Sequence, residues 1–264
     1  MIHFRPFLFF LLLFPFQNCT EKAPVNKAPL NAAILPDNAQ PLELNINNIN
    51  CWVEKEHLIV TGICSNTSGK WQKIWLEAIP LDANGKLLSI SGHASVIVAT
   101  FSDAVPPNGR TSFYASWPLT EFSGKPASCK FKVAGAISKD PGPILASSGV
   151  SGIKMFEPSV AGQAAPTERG WQVSGKISNP LEMVASNPRL EILLYGTDNK
   201  LWMSALINPD DPAIQPVFFF DRQGPMQPRE ERGFSIQVYY AGLPQTLKDI
   251  KIGRVEVLPF EARQ

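Results

Sequence analysis

Residues able to do chemistry are few, and their spacing does not assemble a reaction centre. Beyond residues 1–18 the chain holds two histidines, His57 and His93, and neither lies in a His-x-x-x-His or Cys-x-x-Cys arrangement. Zinc needs such clustered ligands, so no metal is expected. Gly149-Val150-Ser151-Gly152 falls one residue short of a Gly-x-Ser-x-Gly nucleophile elbow, and no helical pattern follows to expose Ser151 on a strand-to-helix turn. His93 beside Gly92 reads as a strand or bulge residue rather than a base. Asp198, Asn199, Asn208, Asp210 and Asp211 carry oxygen donors, but they lack the alternating acidic spacing and closing Glu of a calcium loop. They read as solvated turns. No catalytic residue, cofactor or metal is expected, and the chain is not read as an enzyme.

The cysteines carry a clearer message. Arg5 and the amino terminus make a short basic start, and Pro6 to Phe16 is a nearly unbroken Phe and Leu run. A run this short cannot cross a hydrocarbon core, which needs roughly 20 helical residues. It reads as a signal-peptide core. Phe16-Gln17-Asn18 lacks the small-residue pair of general signal peptidase, and the run ends at Cys19 with the polar Thr20 and Glu21 after it. This arrangement resembles the lipobox of bacterial lipoproteins. The resemblance implies cleavage before Cys19, lipid on its thiol, and a place in the cell envelope as a membrane-anchored lipoprotein. In the sorting rule of enteric lipoproteins an Asp after the cysteine retains the protein in the inner membrane, so the resemblance makes Thr20 lean towards an outer-membrane or periplasmic-side position. Stable anchoring takes more than one acyl chain, which such lipidation supplies.

The remaining candidates are aromatic. Val217-Phe218-Phe219-Phe220-Asp221 puts consecutive Phe side chains on both faces of a strand, so at least one ring points away from its own core. Trp71, in the Ser68-Gly69-Lys70 loop, and Trp202, after the Lys200 turn, are expected to be partly exposed. Together Trp71, Trp202, Phe218, Phe219 and Phe220 form a possible interaction surface. It could be the seam between two domains, a contact for another envelope protein, or a platform for glycan.

These residues sit on elements that the chain states twice. Val60-Thr61-Gly62-Ile63-Cys64-Ser65-Asn66 returns as Val173-Ser174-Gly175-Lys176-Ile177-Ser178-Asn179. Asp82 to Leu87 is answered by Gly196 to Leu201, Pro107 to Phe113 by Pro228 to Phe234, and Cys129 by Ile250. In the first repeat Leu58, Val60, Gly62 and Cys64 alternate with Ile59, Thr61 and Ile63, a two-residue period. Short strands and Asn-Gly or Asp-Asn turns predict an all-β chain of two tandem antiparallel β-sandwiches. The mid-strand Gly62 and Gly175 predict close approach by a bulky neighbour, with Trp75 or Trp171 as candidates. Val-x-Gly-x-Ile-x-Asn, Leu194-Tyr195-Gly196 and the Pro before a Phe strand resemble the FxLYD type of immunoglobulin-like domain. That resemblance covers most of residues 44–137 and 150–258; its motifs are structural, so it implies no catalytic residues.

The expected organisation is a signal peptide (1–18), a lipidated Cys and Pro-rich tether (19–43), a first sandwich (44–137), a linker (138–149) and a second sandwich (150–264). Alternating strand directions bring Cys51 near Cys129 and leave Cys64 at the opposite end, predicting a Cys51 to Cys129 disulfide, which an envelope compartment permits. Removal of Arg5 with the signal leaves 23 basic and 23 acidic residues from the 24 and 23 of the full chain. A neutral chain without basic runs is a poor partner for nucleic acid. The expected partners are the membrane, through the N-terminal lipid, and other envelope proteins. The expected role is a non-enzymatic adaptor or spacer module, the alternative a glycan- or peptidoglycan-binding one.

Overall fold

A computed structural model describes residues 32–156, 170–207, 216–220, 224–239 and 251–263. The first unit comprises β1 (Asn45–Glu54), β2 (His57–Ser65), β3 (Trp71–Leu81), β4 (Val96–Ala99), β5 (Arg110–Pro118) and β6 (Ser128–Lys139). Sheet β1-β2-β5 faces sheet β4-β3-β6. The second comprises β7 (Ala146–Phe156), β8 (Gly170–Ser178), β9 (Pro188–Gly196), β10 (Leu201–Ile207), β11 (Pro216–Phe220), β12 (Glu231–Tyr239) and β13 (Ile252–Glu261). Here sheet β11-β12-β8-β7 faces sheet β10-β9-β13. All strand pairs are antiparallel. The sequence repeat is thus a topological repeat of two all-β sandwiches, with β11 added at one edge of the second.

Period-two patterning builds each core. Along β3, Ile74, Leu76 and Ala78 turn inward and join Leu58, Val60, Phe113 and Trp117 in the first core. Val173, Ile177, Leu190, Ile192, Leu194, Phe234 and Ile236 form the second. Such inward sets are removed from water at about 25 cal/mol per Å² of apolar surface.

The repeated motifs hold the sandwiches closed in the same way. Asn66 Nδ2 donates to the carbonyls of Lys70, Val105 and Pro106, and Asn179 Nδ2 to those of Met183, Met226 and Gln227. Each Asn ties the end of one strand to the loop entering another, adding a side-chain donor to carbonyls that, at Val105, Pro106, Met226 and Gln227, backbone N–H groups also reach. The Asp82 and Gly196 turns also match, with Asp82 N–H donating to Lys86 O and Gly196 N–H to Lys200 O, both at 3.0 Å. Gly85 (φ 79°) and Asn199 (φ 60°) occupy the same left-handed position there.

Several expectations are corrected. The neighbour crowding Gly62 is Phe113, and that crowding Gly175 is Phe234, rather than Trp75 or Trp171, because β5 and β12 lie beside β2 and β8. The linker is shorter than 138–149: Ser138 and Lys139 pair with β3, and Ala146 to Ser148 with β8, leaving 140–145. Leu145 is buried in the second core. Part of the expected tether is docked, since Ala33 N–H donates to Ile97 O, Gln40 bridges Ala136, and Ala32 and Leu42 pack on the first core. Ile250 lies outside the described residues, and by register Val255, opposite Leu194, answers Cys129, opposite Pro80.

Candidate functional site

The feature most distinctive of this chain is the seam between the two sandwiches. β2 is buried on both faces. Its Leu58, Val60 and Cys64 serve the first core, while Ile63 meets Leu193, Tyr195 and Leu201 of the second sandwich, with Leu258 against them. The outer face of sheet β1-β2-β5 therefore packs on the outer face of sheet β10-β9-β13. Thr61 Oγ1 donates to Leu201 O at 2.8 Å. Trp52 and Trp202 meet edge to face with centroids 5.3 Å apart, a favoured aromatic arrangement.

At the centre of this seam lies a carboxyl group. Glu191, on the seam face of β9, is 1% exposed. Thr111 Oγ1 donates to its Oε1 at 2.7 Å, and the Ser112 N–H and Ser112 Oγ donate to its Oε2, each at 2.6 Å. Ser204 Oγ in turn donates to Ser112 Oγ at 2.6 Å. The chain of hydroxyls polarises towards the carboxylate. Burial nonetheless wins: it pushes Glu191 up to about 7, against the pull of Ser112, Thr111 and the field of Lys73. Along the rim, Arg110 pairs with Glu256, and the Arg254 guanidinium lies 3.7 Å from the Tyr195 ring centre.

The second sandwich does not repeat this apolar outer face. The positions of Ile59, Thr61 and Ile63 are taken in the second sandwich by Gln172, Ser174 and Lys176. Gln172 Nε2 donates to Ser235 Oγ at 2.7 Å, and Lys176 pairs with Glu231 at 2.6 Å. That face is polar. Glu77, the counterpart of Glu191 in the first sandwich, pairs with Lys132 at 2.9 Å. There the burial penalty is outweighed by hydrogen bonds from Ser95 and Lys132, which hold its carboxyl below the usual value.

The sequence candidates fall in different places. Trp202 is in the seam. Trp71 lies beneath Arg263, 5.2 Å from its guanidinium carbon, and walls a groove of about 280 Å³ with Arg110, Ile144, Ser147, Glu256 and Phe260. Phe218, Phe219 and Phe220 pair with Ile236, Ser235 and Phe234 through β11, and their side chains lie outside the described residues. So does Cys19. Ser151 sits within β7 opposite Ser174, on a continuous strand rather than an elbow. Asp198 Oδ1 accepts from the Lys200 N–H and from Trp202 Nε1, as a turn residue does, while Asn208, Asp210 and Asp211 lie outside the described residues. Among the described residues no group of three or more His, Cys, Asp or Glu is placed to hold a metal.

The expected Cys51 to Cys129 bridge is not formed: both residues, and Cys64, are free thiols. Strand order does bring Cys51 and Cys129 together across the sandwich, where their thiols hydrogen-bond. Bond formation is a matter of oxidation, which folding geometry does not supply. The Cys129 thiol holds Cys51 below its ordinary value, while the bond to Cys51 and burial push Cys129 up. Burial alone pushes Cys64 up to about 12.

The sequence reading missed Glu191 and its donors. A signal was present: one acid interrupts Leu190-Glu191-Ile192-Leu193-Leu194, on a strand apolar to both sides. No family model matches the chain, and comparison with curated proteins finds no significant match.

Proposed function

We propose that this chain is a non-enzymatic, lipid-anchored protein of the cell envelope whose two immunoglobulin-like sandwiches act as one binding, adaptor or spacer module. The observation that carries the reading is the buried seam. A seam with a buried apolar cluster, a hydrogen-bonded carboxyl and a paired rim favours one stiff body over two swinging domains. The lipobox-like Cys19 and the FxLYD-like motifs support an anchored member of that domain class, held to the membrane by lipid and facing other envelope proteins. The reading is tested by intact mass and detergent partitioning of the protein from its native host beside a Cys19→Ser variant. A chain beginning at Cys19 with acyl mass, lost together with detergent partitioning in Cys19→Ser, supports it. An unmodified chain in the aqueous phase refutes the anchor.

A second reading, a glycan- or peptidoglycan-binding module, is favoured by the groove beside Trp71, where an aromatic wall adjoins the Arg110 and Glu256 pair. Retention on purified envelope glycan that is lost in Trp71→Ala would support it.

A further inference from the structure

The seam is built around an acid that its own repeat leaves beside a cation. In the first sandwich the corresponding Glu77 keeps a cation, but Glu191 is sealed among hydroxyls and apolar side chains, with donors contributed by the other sandwich. The charged groups around it are committed elsewhere. From β3, Lys73 is bound to Asp103 at 2.7 Å and to the carbonyls of Thr100 and Ser102. From β5 and β13, Arg110, Glu256 and Arg254 pair with one another at the rim. Arg189 shares the face of β9 and has interactions of its own. β2 and β10 bring Ile63, Leu201 and Ser204, which carry no charge.

We infer that Glu191 is a proton-operated latch between the two sandwiches, closed when its carboxyl is protonated and loosened when it ionises. A neutral carboxyl is the cheaper form to bury where, among the described residues, no cation pairs with it, and its O–H can donate to Thr111 Oγ1, 2.7 Å from Oε1, as that hydroxyl turns its own proton to the Ser112 carbonyl. On opening, Glu191 meets water and returns to its ordinary value near 4.5, whereas in the closed seam it stands at about 7. The closed form then binds the proton more tightly, so closure is fully favoured below pH 4.5 and declines as pH rises to 7. Across that window the closing constant falls on the order of a hundredfold, a change that follows from the two values by linkage. The inference goes beyond the envelope role proposed above and holds whether or not the chain is lipidated.

The test is amide hydrogen exchange of the full mature chain at constant ionic strength from pH 5 to 8, corrected for intrinsic exchange. Protection at Thr61, Ser112 and Leu193 is expected to fall on the order of a hundredfold while that of core amides such as Leu76 holds. In Glu191→Gln the same seam amides are expected to lose this pH dependence. Ser112→Ala removes a donor to the charged form and moves the transition to higher pH. Should the Gln variant not fold, Ser112→Ala decides. Seam protection flat with pH in the natural chain, an unaltered pH dependence in Glu191→Gln, or an unmoved midpoint in Ser112→Ala would each overturn the latch.

Discussion

Phe113 closes over Gly62 so tightly that a side chain there would place its first carbon 2.3 Å from the ring's Cζ. Phe234 treats Gly175 alike, at 2.8 Å. In each sandwich a glycine in one strand makes room for the ring of the next. Gly62→Ala is expected to destabilise the chain by about 1–3 kcal/mol, the usual range for overpacking. Thermal unfolding measures it, and Phe113→Leu in the same chain should restore part of the loss. An unchanged melting temperature in Gly62→Ala would contradict the packing.

The paired asparagines make a second prediction. Asn66→Ala removes the amide that joins the Lys70, Val105 and Pro106 carbonyls, and also deprives the Ser68 N–H and hydroxyl of the Oδ1 they donate to. A cost of about 2–4 kcal/mol is expected, from several hydrogen bonds lost together at a buried site. Asn179→Ala should cost less, because its buried Oδ1 has no hydrogen-bond partner to lose. Chemical denaturation of both variants gives the ranking.

Thiol chemistry separates the three described cysteines. A disulfide oxidant should join Cys51 to Cys129, each losing one hydrogen as the oxidant is reduced, and should leave Cys64 free. Cys64 is buried and pushed up to about 12, so it offers almost no thiolate at neutral pH. Peptide mapping without reductant reads the pairing, and a Cys64 bridge would contradict it. The cross-link should stabilise the first sandwich by roughly 2–4 kcal/mol.

The seam can be challenged with the chain's own vocabulary. Ile63→Lys gives the first sandwich the residue that the second carries at Lys176. Its ammonium would enter the cluster of Leu193, Tyr195 and Leu201, which a buried unpaired charge does not tolerate. The two cores should survive while the seam parts. Small-angle scattering would show a larger maximum dimension, together with lost exchange protection at Leu193. Unchanged dimensions would mean that the seam does not hold the sandwiches.

Much of the fold is legible in the residues. Alternation in Leu58 to Cys64 and in Trp71 to Leu81 specifies strands, because a side-chain period of two suits only an extended backbone with a core on one side. The repeated Asn, Gly and turn residues are equally local, answering to left-handed backbone, strand ends and close approach. Even the meeting of Cys51 and Cys129 follows from strand direction, although their oxidation state does not.

What those residues leave open is what covers an outward face. Ile59, Thr61 and Ile63 announce a second burial without naming the surface that provides it, and Glu191 interrupts an apolar strand without naming the groups that would meet its carboxyl. Only the tertiary structure sets β2 against β9 and brings Thr111, Ser112 and Ser204 around that carboxyl, from positions 79 to 92 residues apart in sequence from their partners. Patterning within a strand is short-range and survives in the sequence. The pairing of two outer faces depends on how two completed sandwiches fit, and so does the charge state of the acid caught between them.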